Sequence, residues 1–234
     1  MQNSIKPMYL LSDSQLLFSK DIDGNYYLSK VKHEFEKSNI KAVYIGASNK
    51  DTREFYELFQ EGMYNIGISD HYMIKSDFTK TDEVNLENAD LILLSGGEVK
   101  EGLNIFQKTG IKDIIIKKYY EGTLIIGISA GAIQLGWQTL DKNADNLPDS
   151  FLDTLKLIPF IVDVHQENNE WRDLKAVLKI SGGMKRGLGI PFGAGIIYYP
   201  DQTVEAMRKP IAEFVLAGDL LKETLLLPLN EQLP

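Results

Sequence analysis

Short apolar runs alternate with longer amphipathic segments through the first half of the chain. Five runs rich in Ile, Leu and Val, most of them ending at Gly, Ser or Asp, are predicted to be buried strands: 7–13, 40–48, 65–70, 89–97 and 122–130. Segments with apolar residues at helical spacing lie between them: 28–39, 51–65 and 103–122, the last interrupted at Gly110. This alternation predicts right-handed crossovers and a mostly parallel sheet with helices on both faces.

The pattern changes in the last third of the chain. Segments 186–207 and 212–220 are typical of short strands joined by turns, in an arrangement compatible with antiparallel pairing. No internal repeat, low-complexity segment or linker is evident, so we expect a single domain spanning residues 1–234. Ligands of open parallel sheets bind beyond the carboxyl ends of the strands, and the strand-terminal sequences GAS, SGGE and ISAG should therefore face one rim.

Composition excludes several classes of function. The 234 residues include no cysteine, which rules out disulfides, thiolate metal sites and a cysteine nucleophile. The net charge of -8 and the absence of a Lys/Arg run argue against nucleic acid as a partner. No apolar run is long enough for a membrane span and the first residues lack a signal-peptide pattern, so we expect no membrane association and a cytoplasmic protein. A homodimer is left open.

One serine stands where an apolar strand gives way to a helical segment. Gly127, Ser129 and Gly131 fit the G-x-S-x-G pattern, in which small flanking residues let strand and helix approach while the serine hydroxyl is held at the sheet rim. The N–H of Ala130 would then point toward an oxyanion from the start of the helix. The alternative is a turn in which Ser129 only caps the helix.

A second segment at this rim has residue types suited to donating backbone hydrogen bonds to an oxyanion. Gly96 and Gly97 end the strand predicted at 89–97, and paired glycines after a strand let a backbone present its N–H groups to an anion. The competing interpretation is an ordinary tight turn.

Three histidines occur, too few for a His-rich metal site unless most of them converge. His165 ends the apolar run IPFIVDV at the rim predicted for Ser129, which favours a general base. His33 in a surface helix and His71 just after a strand are predicted to be solvated surface residues.

Ser129 in GISAGA, the upstream SGGE and the segment FLDTLKLIPFIVDVH before His165 together resemble the dipeptidase E and cyanophycinase family of serine peptidases. The likeness is clearest from about residue 89 to residue 197. It implies a flavodoxin-like three-layer sandwich related to class I glutamine amidotransferases, with serine in place of their cysteine. It also implies Ser129 as nucleophile, His165 as base, an oxyanion hole from the N–H groups of Gly97 and Ala130, and no metal or organic cofactor.

The family cleaves amide bonds next to aspartyl residues, so the resemblance implies a small acidic peptide or amide as substrate. Gly96 and the loop 140–149, with Asp145, correspond to segments near the active site of the family. An acidic substrate group needs a cation, and Arg172 or Lys142 could supply it, although either could equally be a surface charge.

The resemblance also implies a catalytic triad of serine, histidine and an acid, and the chain departs from the family at the acid. The family places a glutamate in a later GIxE segment, where this sequence has Phe192. His165 and Glu167 form a His-x-Glu arrangement like that of class I glutamine amidotransferases, and our hypothesis is that the acid has moved to Glu167. Rival acids elsewhere in the sequence are Asp163, Glu170 and Glu205.

Three other functions compete with a peptidase. Loss of the usual acid at Phe192 is compatible with a catalytically silent member that binds a ligand or a partner. Transfer of the acyl group to an amine or thiol, instead of water, is not distinguished by sequence. A nucleotide-binding module is disfavoured because neither G-x-G-x-x-G after the first strand nor a P-loop is present.

Overall fold

A computed structural model describes residues 4–141, 150–181 and 186–229. The strands are β1 (Met8–Leu11), β2 (Lys41–Ile45), β3 (Asp70–Ile74), β4 (Leu91–Leu94), β5 (Leu124–Ile128), β6 (Gln138–Leu140), β7 (Phe151–Asp153), β8 (Ile161–Val164), β9 (Arg186–Ile190), β10 (Gly195–Tyr198), β11 (Val204–Met207), β12 (Ile211–Ala217) and β13 (Leu220–Leu226). The helices are α1 (Ser29–His33), α2 (Arg53–Asn65), α3 (Lys80–Glu87), α4 (Val99–Thr109), α5 (Ile111–Tyr120), α6 (Ala130–Leu135) and α7 (Arg172–Ile180). Short 3-10 turns occupy Ser14–Leu17, Ala47–Asn49 and Glu167–Asn169.

The central sheet has seven strands in the order β11-β10-β1-β5-β4-β2-β3. Strands β1 to β5 are mutually parallel, and β10 and β11 extend the sheet in antiparallel fashion beside β1. A second sheet, in the order β13-β12-β9-β8, carries the parallel pair β8 and β9, and β6 pairs with β7 alone. The predicted mostly parallel sheet is confirmed, as is the antiparallel character of the last third.

Helices cover both faces of the central sheet. In β1, Met8 and Leu10 belong to the apolar cluster that includes residues of α3, α4, α5 and α6, whereas Tyr9 and Leu11 belong to the cluster on the other face with α1 and α2. Successive side chains of a strand point to opposite faces, so a strand buried on both faces is apolar throughout. The structure therefore confirms the flavodoxin-like three-layer arrangement.

The predicted strand at 65–70 is wrong. Helix α2 continues to Asn65, and the chain then turns through Gly67, which has φ +79, before β3 begins at Asp70. Ile66 and Ile68 are buried because this turn packs beneath the sheet, not because they form a strand. His71 consequently lies within β3, where its ring packs edge-on against Phe59, and it is only partly exposed.

Two helices also differ from expectation. Helix α1 is confined to Ser29–His33, with His33 exposed at its end. Helix α3 was not predicted because it buries only Asp82 and Leu86, which leaves almost no apolar face to recognise. Gly110 does break the third amphipathic segment: it has φ +81 and separates α4 from α5.

Helix α7 packs directly on β9, which fixes the segment that precedes it. A Cβ atom on Gly189 would lie 2.5 Å from the Trp171 ring, and one on Gly187 would lie 2.8 Å from Leu174. Glycines at these two positions therefore allow the buried ring and helix to touch the strand backbone. The chain between β8 and α7, which begins with His165, is thereby anchored at both ends.

None of the helices in the described parts of the chain is long and apolar enough to cross a membrane.

Candidate active site

Ser129 occupies a strained turn between β5 and α6. Its φ of 50° and ψ of -109° lie outside the regions that L-residues favour, a conformation that costs about 1–3 kcal/mol and persists only where its surroundings impose it. The Ser129 N–H donates to the Leu11 carbonyl at 2.9 Å, and its carbonyl accepts from the N–H of Ala132 at 3.0 Å. These bonds hold the serine at the carboxyl end of β5.

The two glycines of G-x-S-x-G are sterically required. A Cβ atom on Gly131 would lie 2.3 Å from the Leu94 carbonyl oxygen of β4, and one on Gly127 would lie 2.6 Å from the Gly131 oxygen. Real Cβ atoms do not approach backbone so closely, so a larger residue at either position would push α6 away from the sheet. The pattern thus reflects the close approach of helix and strand that the sequence predicted.

His165 follows β8 and meets Ser129 from the second sheet. Its N–H donates to the Ile190 carbonyl at 2.9 Å, and its φ of 44° turns the chain at the end of the strand. The imidazole Nε2 lies 3.0 Å from the Ser129 Oγ, within hydrogen-bond distance. The structure therefore brings together the two residues that the sequence singled out as nucleophile and base.

The Gly96–Gly97 turn lies against the serine. A Cβ atom on Gly96 would be 3.3 Å from the Ser129 Cβ. Gly97 has φ +130, and its N–H has no hydrogen-bond acceptor among the residues that the structure describes. Ala130 is the first residue of α6, where a helix leaves its N–H groups without a partner in the helix. The N–H groups of Gly97 and Ala130 thus have no hydrogen-bond acceptor among the described residues.

Two polar residues that sequence reasoning missed fix this turn. The Ser48 carbonyl accepts from the N–H of Glu98 at 2.7 Å, and the buried Gln134 side chain donates to the Ser48 Oγ at 2.9 Å and to the Val99 carbonyl at 3.1 Å. The available signal was a glutamine in the otherwise apolar start of α6 and a serine at the end of the rim sequence GAS.

Glu167 reaches a different partner from the one hypothesised. Its Oε1 accepts from the backbone N–H of Phe192 at 2.9 Å, and no hydrogen bond joins it to His165. The second oxygen, Oε2, is buried and has no hydrogen-bond partner among the described residues. Glu167 therefore lies close to the segment in which the family places its glutamate, with one carboxylate oxygen unused.

The rival acids occupy other positions. The Asp163 Oδ1 accepts from the N–H of Val164 within β8, and Glu170 is exposed at the end of a 3-10 turn. Glu205 lies toward the opposite end of the sheet. Its burial acts to raise its pKa, but hydrogen bonds from Lys30 and Tyr199 outweigh this and hold the pKa below its ordinary value.

The structure describes only some of the predicted substrate-binding residues. Arg172 is exposed at the start of α7 and borders a surface depression with Gln166 and Asn169. Asp145 and Lys142 lie outside the described residues. A cavity of about 250 Å³ opens beside Gly97, and its lining combines apolar residues such as Val99 and Leu174 with the charged residues Glu98, Lys100, Asp141, Asp163 and Asp173.

No group of three or more His, Asp or Glu side chains suited to a metal ion occurs within residues 4–141, 150–181 and 186–229.

A flavodoxin-like sheet with a serine at a strand-to-helix elbow, facing a histidine, defines an α/β protein of the peptidase E type. The sequence model of peptidase family S51 matches residues 8–201, and the chain belongs to this family. The expected relationship to dipeptidase E and cyanophycinase is therefore confirmed, and the chain is a member of a peptidase family.

Two solved structures share the fold. A peptidase from an acI-B1 Actinobacterium has a TM-score of 0.70 and 14% identity, with 97% of this chain and 96% of that chain covered. A candidate peptidase E protein from Listeria monocytogenes EGD-e has a TM-score of 0.62 and 21% identity, with 88% and 99% covered. No curated protein matches the sequence.

Proposed function

We propose that the chain is a serine-type peptidase or amide hydrolase that acts through an acyl-enzyme on a small, aspartyl-containing peptide. The observation that carries this proposal is the 3.0 Å separation between the Ser129 Oγ and the His165 Nε2. A nucleophile and a base within hydrogen-bond reach, on a strained elbow, form the arrangement that activates a serine hydroxyl.

In the proposed reaction, Ser129 attacks the carbonyl carbon of the scissile amide while His165 accepts the hydroxyl proton at Nε2. His165 then protonates the leaving amine, and water, activated by the same imidazole, hydrolyses the acyl-enzyme. The N–H groups of Gly97 and Ala130 would hold the oxyanion, because both are adjacent to Ser129 and available.

Glu167 is the acid that we propose for the third role. It follows His165 by two residues, and its buried Oε2 lacks a hydrogen-bond partner among the described residues. When His165 becomes an imidazolium, its Nδ1–H needs an acceptor, and Oε2 is the Glu167 oxygen that can accept while Oε1 keeps its bond to Phe192.

Replacing Glu167 by glutamine separates these two tasks, since the amide oxygen can still accept from the Phe192 N–H. If the charge stabilises the imidazolium, we expect kcat to fall by about 10²–10⁴-fold with an unchanged thermal unfolding midpoint. Glu170→Gln, an exposed residue of the same polar stretch, is the matched control and should retain parent kinetics. If Glu167→Gln kept the parent kcat, the role of Glu167 would be limited to joining its own loop to the segment that contains Phe192.

Intact-mass analysis after exposure to a fluorophosphonate tests the proposed function. We expect one adduct, mapped to Ser129, which disappears in His165→Ala because the hydroxyl is then no longer activated. Heat-denatured protein provides the control for non-specific labelling.

The absence of an adduct on the folded protein would favour a catalytically silent family member. The specific observation behind this second candidate is Phe192, which cannot orient an imidazole. Products heavier than the hydrolysate in the presence of added amines would instead indicate acyl transfer.

A further inference from the structure

The segment Pro191–Ala194 connects the second sheet to the central sheet and is held by side chains on both sides. Carboxylates bind its N–H groups: Glu167 accepts from Phe192, and Asp13 accepts from Gly193. Cations bind its carbonyls, since Lys209 Nζ donates to the Phe192 oxygen at 2.6 Å and Arg208 Nη1 donates to the Gly193 oxygen at 3.2 Å.

The two cations converge on one point of this segment. A Cβ atom on Gly193 would lie 3.1 Å from the Arg208 Nη1 and 3.5 Å from the Lys209 Nζ. Arg208 has φ +68, an uncommon conformation for a residue with a side chain.

Both cations donate hydrogen bonds to neutral groups. Arg208 donates to the Gln15 Oε1 and to a carbonyl, and Lys209 donates to a carbonyl. No carboxylate among the described residues forms an ion pair with either. The nearby Asp13 carboxylate is engaged by the N–H groups of Gln15 and Gly193 and by the Ser12 hydroxyl. A guanidinium has five N–H donors and an ammonium has three, so donors remain for an anion.

Gly193, on which the two cations converge, is close to the proposed nucleophile Ser129. The Ser129 N–H is bonded to the Leu11 carbonyl, and the next residue, Ser12, is bonded to Ala194 through its N–H at 2.9 Å. Gly193 is therefore about two interstrand spacings, or about 10 Å, from Ser129. A leaving group of two residues, each spanning about 3.4 Å, followed by a hydrogen bond of about 2.8 Å, covers that distance.

We propose that Arg208 and Lys209 bind the C-terminal carboxylate of the substrate, on the leaving-group side of the scissile amide, and that Phe192 contacts the adjacent apolar side chain. Phe192 is 49% exposed on the same segment, which suits an apolar contact. This inference rests on the proposed function. It assigns the enzyme to short peptides with a free carboxyl terminus, because an internal peptide segment has no carboxylate at this place.

The test uses Ser129→Ala, which binds without cleaving, and two probes: the tripeptide Asp-Leu-Leu and its C-terminal carboxamide. Calorimetry should show that the acid binds about 10-fold to 100-fold more tightly than the amide, as expected for hydrogen bonds to a charged group. In the Ser129→Ala background, Lys209→Gln and Arg208→Gln should each bring this ratio toward one. Lys222→Gln, an exposed lysine on β13, is the matched control and should keep the ratio.

The amide is an internal reference in every variant. A substitution that only loosens the Pro191–Ala194 segment weakens both probes equally and leaves the ratio unchanged. Equal affinity for acid and amide in Ser129→Ala, no measurable binding of either, or an unchanged ratio in both Arg208→Gln and Lys209→Gln would overturn the carboxylate site. Failure of the proposed function gives a different result, namely no fluorophosphonate adduct on the parent protein.

Discussion

His165→Ala is expected to lower kcat/KM for amide hydrolysis by about a millionfold, the loss typical of removing the base from a serine-protease triad. The physical reason is that the Ser129 hydroxyl is a weak nucleophile, and only the imidazole 3.0 Å away can accept its proton as it attacks. Steady-state kinetics on an N-terminal aspartyl dipeptide provides the measurement.

The same experiment tests whether Ser129 and His165 act as a unit. If they do, Ser129→Ala combined with His165→Ala should be no slower than either single variant, because each already removes the whole nucleophilic step. His33→Ala is the control for loss of a histidine, since His33 is exposed at the end of α1. Activity above about 1% of the parent in His165→Ala would mean that another group serves as the base.

Gly97→Ala is expected to lower kcat by about 10²–10³-fold, the cost of losing one oxyanion donor. A Cβ atom at this position would lie 2.0 Å from the Ser48 carbonyl oxygen and 2.6 Å from its carbon. Backbone atoms cannot yield as a flexible side chain does, so the turn must move and carry the Gly97 N–H away from Ser129. KM should change little, because the donor acts mainly on the charge that develops in the transition state.

Gly110→Ala separates the steric effect from the cost of a left-handed backbone. Gly110 also has positive φ, at +81, but a Cβ atom there meets nothing within 4 Å. We expect Gly110→Ala to reduce the free energy of unfolding by about 1–3 kcal/mol with parent kcat, as measured by urea denaturation and steady-state kinetics. Equal kcat values for the two alanine variants would contradict the assignment of Gly97 to the oxyanion hole.

Phe192 marks the departure of this chain from the family pattern. An aromatic ring can neither accept a proton nor supply the negative charge that stabilises an imidazolium, yet the backbone of the same residue is hydrogen-bonded to Glu167, two positions after His165. The proposed exchange of roles is therefore local: a carboxylate approaches from the histidine side, and the position at which the resemblance placed the acid presents an exposed apolar ring. The two proposals about Glu167 and Phe192 can fail separately, because one concerns kcat and the other concerns the binding of the leaving group.

Sequence alone was sufficient where the information is local. The alternation of apolar runs gave the parallel sheet, since strands buried on both faces must be apolar throughout. The G-x-S-x-G pattern identified the elbow because Gly127 is dictated by its contact with Gly131 in the same turn, although Gly131 itself is dictated by Leu94 of β4. The break of the third amphipathic segment was likewise readable from one residue, Gly110.

Local patterns failed where packing overrides them. Ile66 and Ile68 read as part of a strand, but their burial comes from a turn beneath the sheet. Helix α3 has almost no apolar face, and its capping box between Thr79 and Asp82 is the clearest local sign of its start.

By itself, the sequence determined the fold class, the elbow serine and the candidate histidine, because each is encoded in a short run of residues. Only the tertiary structure decided what surrounds them: the contact of Gln134 with Ser48, the bond of Glu167 to Phe192, and the convergence of Arg208 and Lys209 on Gly193. Apart from Arg208 and Lys209 themselves, these partners are far apart in the chain. Their meeting depends on how two sheets and their connecting segments pack, which no local pattern of residues records.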